Sequence, residues 1–189
     1  MKLRVLVAHN HYQQPGGEDE VYASEAECLE AFGHEVVRYA LHNNQVREMR
    51  PLPLAAATFW NQQTYREVRE LVRQHRIAVA HFHNTFPLIS PSAYSAAHAE
   101  GAAVVQTLHN FRLLCINATL FRHGRVCERC VGRTSAWPGV VYGCYRGSWG
   151  ASAVAATAMA THWALGTWQR SVDLFITPSP SMLAMFLRV

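Results

Sequence analysis

At 189 residues, half of them apolar, the chain is long enough to bury one sizeable core and too short for two full α/β domains. Seventeen Lys and Arg against thirteen Asp and Glu leave a formal net charge of +4. The basic residues are scattered rather than gathered into a stripe, which tolerates nucleotides or lipid headgroups and argues against a nucleic-acid partner.

In chain order, residues 3–8 form a short apolar run without helical period, the pattern of a parallel strand covered on both faces. A few apolar residues followed by polar ones lack the core and cleavage site of a signal peptide, so a cytoplasmic location is the expectation. After a polar loop, residues 20–32 place Val21, Ala26, Leu29 and Phe32 near helical spacing, with Cys28 read as core. Gly33 supplies a left-handed stop, and a second strand runs to about Leu41. The unit then repeats: helix 62–75, strand 77–82, helix 92–100, stop Gly101, strand 102–108. Such alternation predicts an α/β fold, an open, mainly parallel Rossmann-like sheet with helices on both faces.

Over residues 109–150 the alternation stops, and Cys, Arg, Gly and aromatic residues dominate. An insert of that length needs an organising element of its own. A helix over 151–170, a strand over 173–177 and a short helix from Ser179 onward complete the pattern. Residues 151–168 are rich in Ala and interrupted by Ser152, Thr157, Thr161, His162 and Gly166, so a buried or interfacial helix is expected rather than a spanning one. The pattern stops at Val189 without a helix stop signal, as expected of one domain, 1–189, of a longer protein.

In an open parallel sheet ligands bind beyond the carboxyl ends of the strands. The first strand is followed by His9-Asn10-His11-Tyr12-Gln13-Gln14-Pro15-Gly16-Gly17-Glu18-Asp19. Two adjacent glycines before a helix allow close backbone approach to a phosphate or sugar hydroxyl; the alternative is a surface turn with Asp19 as helix cap. Two later strands end in His81-Phe82-His83-Asn84 and His109-Asn110. Three strand ends thus deliver His-Asn pairs, which points to a shared polar pocket.

The phrases HNHYQQPGGEDEVYASEAECL, HFHNTFPLISPSAYSAAHAEG, VVQTLHNFRLLCINATLFRHGRVCERC and VDLFITPSPSML together resemble the acceptor-side, N-terminal domain of the GT-B-fold, retaining glycosyltransferases of family four. The resemblance implies transfer of a sugar from a nucleotide-sugar donor to a glycan or lipid-linked acceptor. It places Gly16 and Gly17 near the donor and His109 against the transferred sugar, and it makes Glu18, His83, Asn84, Asn110 and Arg112 acceptor-side candidates. The nucleotide-gripping residues of the family belong to a C-terminal domain. Glu27 and Glu35 match its carboxylate spacing, but Gly33 breaks the helix between them. No catalytic metal is implied, and no Asp-x-Asp occurs.

The insert spaces four cysteines as Cys115-x11-Cys127-x2-Cys130-x13-Cys144. Cys127 and Cys130 have zinc-knuckle spacing and two outlying thiols complete a tetrahedral set, so structural zinc is the expectation; buried thiols and an iron–sulfur cluster are the alternatives. Arg122, Arg125, Arg129, Arg133 and Arg146 give the insert a basic surface suited to peripheral membrane contact or to plain solvation. Trp137, Tyr142, Tyr145, Trp149, Trp163 and Trp168 read as packing residues.

Two other classes compete. One is a stand-alone zinc-containing module that binds carbohydrate or nucleotide without catalysis. The other is a dehydrogenase-like domain, disfavoured because the first loop lacks GxGxxG and Leu41-His42-Asn43 offers no acid for a ribose.

Overall fold

The computed structural model describes residues 2–189. In chain order its elements are β1 (Arg4–His11), α1 (Gly17–Ala31), β2 (Glu35–His42), α2 (Pro51–Phe59), α3 (Gln62–His75), β3 (Val79–Phe82), α4 (Ser92–Ala99) and β4 (Ala103–Thr107). Then follow β5 (Phe121–Arg122), β6 (Arg125–Val126), α5 (Trp137–Val141), α6 (Trp149–Ala164), α7 (Thr167–Ser171), β7 (Leu174–Ile176) and α8 (Pro180–Phe186). They divide into two compact units, one running to Thr107 and including Gln169–Ile176, the other comprising Leu108–Trp168 and Thr177–Val189.

The first unit is the expected open sheet: its described residues form five strands in the order β2-β1-β3-β4-β7, paired in parallel throughout. Val5, Leu6, Val7 and Ala8 are all buried, as a central strand covered on both faces requires. Val5 and Val7 pack on Tyr22 of α1 with Leu29, Val36 and Val79 around them. Phe82 meets Tyr94 of α4 edge-on at 5.0 Å. Gly33 and Gly101 follow α1 and α4 with φ of +85° and +82°, the left-handed stops that only glycine adopts without cost. Because the chain passes from β1 outward to β2 and then back to β3 on the other side of β1, the topological switch point lies between the carboxyl ends of β1 and β3.

Several boundaries differ from expectation. β1 continues through His11, so its His-Asn-His triplet is strand rather than loop. The buried stripe of α1 runs through Tyr22 and Ala26, leaving Val21 and Phe32 exposed; Cys28 is also exposed and not core. The helix expected over 151–170 is two, α6 and α7, separated where Gly166 takes a positive φ.

The second unit has little regular structure besides α6: a two-residue-per-strand antiparallel hairpin, β5–β6, and the short α5 and α8. Trp168 is buried, whereas Trp137, Tyr142 and Trp149 are exposed, so the aromatic cluster is not uniformly packing. Among the described residues no helix is long and apolar enough to cross a membrane.

Candidate functional site

The two-residue period of a strand puts alternate side chains on one face. On β1 the apolar pair Val5 and Val7, packed on α1, is continued toward the carboxyl end by His9 and His11. On β3 the same face carries Val79 and His81, followed by His83. Four imidazoles therefore stand under α1 at the switch point, and the helix answers them with Asp19, Tyr22 and Glu25.

Asp19 gathers the glycine loop. Its Oδ1 lies 2.9 Å from His9 Nε2 and 2.7 Å from His11 Nδ1, while its Oδ2 accepts from the backbone N–H of Gly16 at 2.7 Å. Gly16, rather than Asp19, occupies the cap position of α1. Burial alone would raise the Asp19 carboxyl, but the hydrogen bonds from His9, Gly16 and His11 prevail and hold it below the usual carboxylate range. His9 is wholly enclosed and stacks on Tyr22 at 5.0 Å. Burial lowers its pKa to about 4, so the ring is neutral at physiological pH. His11 retains 31 % exposure and stacks on His42 at 5.9 Å.

Glu25 serves the second pair. It is bonded to His81 Nδ1 and stands 3.6 Å from His83 Nε2, and the two rings stack at 4.7 Å. His81 Nε2 meets Thr107 Oγ1 at 2.7 Å. Burial opposes the Glu25 charge, yet the paired imidazoles hold its carboxyl down at about 2.

The opposite face carries an amide clasp. Asn84 donates from Nδ2 to the Asn10 carbonyl at 2.7 Å and accepts from the Phe86 N–H at 3.0 Å. Asn10 accepts from the Leu88 N–H at 3.1 Å, and its own N–H donates to the Asn84 carbonyl at 2.8 Å. Gln106 donates to the His83 carbonyl at 2.6 Å and accepts from Tyr94 at 2.5 Å.

The structure thus unites Gly16, Gly17, Glu18, His83 and Asn84 in the first unit, and assigns His109, Asn110 and Arg112 to the second. Gly16 has φ −140°, and a Cβ on Gly17 would meet nothing within 4 Å, so local backbone geometry does not demand glycine. Glu18 accepts from the Tyr12 hydroxyl at 3.0 Å. His83 and Asn84 are buried, and Asn84 is bonded to Asn10 and Phe86. In the second unit His109 is half-buried, Asn110 Oδ1 accepts from the Arg112 N–H at 2.9 Å, and the Arg112 guanidinium donates to the Ile116 carbonyl and lies 5.3 Å from the Tyr145 ring. Tyr22, Glu25 and His81 escaped sequence reading as site residues. Their signal was available: His-x-His at two strand ends, and carboxylates six residues apart on the facing helix.

The four cysteines of the second unit carry free thiols, each half-buried, and all four line one cavity of about 20 Å³ with Arg122 and Tyr142. Burial pushes the Cys130 and Cys144 thiols up, and neighbouring thiols add to it. Cys127 is held down by the Arg129 backbone N–H and then by the Arg122 guanidinium.

The family model for Glycosyltransferase Family 4 matches residues 15–189, nearly the whole chain. Comparison with curated proteins finds no match.

Proposed function

The chain belongs to glycosyltransferase family 4, and from that premise we propose that it is the acceptor-side domain of an enzyme moving a sugar from a nucleotide-sugar donor to a glycan or lipid-linked acceptor. The observation that carries this reading, beside the family, is the loop opening α1 at the switch point. Gly17 leaves open space there, and the backbone N–H groups of the helix start suit a phosphate or sugar hydroxyl. Glu18 and Glu20 in the first turn are carboxylates able to accept hydrogen bonds from sugar hydroxyls. The Asp19 network holds this loop in place, so the groups facing a ligand are preorganised.

By family resemblance His109 stands against the transferred sugar and orients it, while the departing phosphate receives the acceptor proton. His109 is therefore a positioning and polarising group rather than a general base. A second domain supplies the grip on the nucleotide. Contact with a membrane-borne acceptor is supported by the second unit, which exposes Phe121, Val126, Trp137, Val141, Tyr142 and Trp149. Arg129 and Arg133 stand 5.6 Å and 5.9 Å from the Tyr142 and Trp137 rings, a mixture suited to an anionic bilayer surface.

The test is an assay of the enzyme together with its donor-binding domain against a panel of nucleotide sugars, reading donor hydrolysis and transfer to soluble and lipid-linked glycans. One donor should be turned over, and His109→Ala should lose on the order of 100-fold in kcat. Turnover of no nucleotide sugar would remove the reading, and full activity in His109→Ala would remove that residue from the site.

A further inference from the structure

We propose that Cys115, Cys127, Cys130 and Cys144 bind a single structural zinc ion that organises the second unit. The four residues come from separate turns. Cys115 closes a turn with its N–H on the Phe111 carbonyl at 2.8 Å, and Cys127 follows β6 with its N–H on the Leu120 carbonyl at 2.8 Å. Cys130 stands in the next turn, and Cys144 follows α5 with its N–H on the Gly139 carbonyl at 2.8 Å. The fold brings these distant points to one cavity, and nothing in local hydrogen bonding requires four thiols to meet.

The cavity suits a small occupant bound by sulfur. About 20 Å³ holds one small body, comparable to a single water site and far below the size of an iron–sulfur cluster. Its lining of thiols is the soft donor set that favours zinc at Zn–S distances of about 2.3 Å. Among the described residues, the sets whose ligand atoms already lie within 4.8 Å of one another are His9-His11-Asp19 and Glu25-His81-His83, so zinc would draw the four sulfurs inward from the cavity wall. In the histidine sets His9 and His11 are already bonded to Asp19, and His81 to Glu25.

Two further observations point to a ligand here. Arg122 lines the same cavity, lies 3.7 Å from the Tyr142 ring, and has a buried Nε with no hydrogen-bond partner. Four thiolates around Zn²⁺ carry a net charge of −2, and a sulfur of that shell supplies both the missing acceptor and the charge that Arg122 answers. The surrounding backbone also holds Ala118, Leu120, His123 and Arg146 at positive φ, a conformation costly for residues other than glycine, which a unit so poor in regular structure must offset.

Metal analysis of the purified protein should find about one zinc per chain, and exchange with cobalt should give the thiolate-to-metal charge-transfer and visible bands of a tetrahedral sulfur site. Cys127→Ser with Cys130→Ser should abolish binding and make the second unit protease-sensitive. Cys144→His should retain the metal with altered cobalt bands, which separates loss of a ligand from failure to fold, and Cys28→Ser should leave zinc content unchanged. Folded wild-type protein with all five thiols titratable and no metal, a disulfide among the four, or iron with acid-labile sulfide would each overturn the proposal.

Discussion

The backbone N–H of Asn84 donates to Nδ1 of His9 at 3.3 Å, and this bond decides the chemistry of the buried imidazole. With Nδ1 an acceptor, the single proton of the neutral ring sits on Nε2, where it is donated to Asp19. Protonating His9 would force a second N–H against the amide of Asn84 within a closed site.

Stability follows with a definite sign. His9 has a pKa of about 4 in the fold and about 6.5 unfolded, so between these values the unfolded chain holds the extra proton. Its contribution is complete above pH 6.5 and is lost as pH falls toward 4, on the order of 3 kcal/mol in all. Glu25, held at about 2, and Asp19, also lowered, lose their contributions at still lower pH. Urea unfolding between pH 7 and 4.5 should show this decline in the wild type and a flatter profile in His9→Gln, which keeps a donor for Asp19. Parallel profiles would exclude His9 as the source.

Asn84→Ala should behave as a structural lesion. The buried Asn10 carbonyl and the part-buried Phe86 N–H, both served by the side chain, would lose this partner. Stranding them costs about 2–4 kcal/mol by denaturant unfolding. A variant within about 0.5 kcal/mol of wild type, yet poor in acceptor use, would instead make Asn84 a direct contact.

Arg76 ends α3 at φ +50°, a left-handed position filled by an exposed residue with a Cβ. Its N–H and that of Ile77 reach back into the last turn, so the geometry is that of a glycine stop without the glycine. Arg76→Gly should stabilise the protein by about 1 kcal/mol, read as a rise in the urea midpoint with unchanged slope. A lowered midpoint would mean that the Arg76 side chain contributes more than its backbone costs.

The sheet was legible because its signals are local. A parallel strand buried on both faces leaves an unbroken apolar run, as residues 5–8 do, and Gly33 and Gly101 mark helix ends by a conformation other residues avoid. The site was only half legible, because its polar residues are buried by partners far away in sequence. His9 and Asn10 read as loop since nothing local shows that Asp19 and Asn84 will satisfy them. Glu25 interrupts the apolar stripe of α1, and only the facing His81 explains its place there.

Gly17→Ala separates the structural from the functional role of the glycine loop. Gly17 is the first residue of α1, and a Cβ there meets nothing within 4 Å, so the added methyl neither clashes nor strains the backbone. By reducing the freedom of the unfolded chain it should leave stability unchanged or raise it by up to about 1 kcal/mol. If a donor sugar or phosphate approaches this backbone, the same methyl occupies the ligand's place, and kcat/KM should fall at least about tenfold, equivalent to 1.4 kcal/mol of lost transition-state binding. Stability and activity should therefore move in opposite directions, which a merely destabilising substitution does not produce. Wild-type kinetics in Gly17→Ala would show that the ligand does not come within van der Waals distance of this residue, and the two glycines would then serve the turn alone.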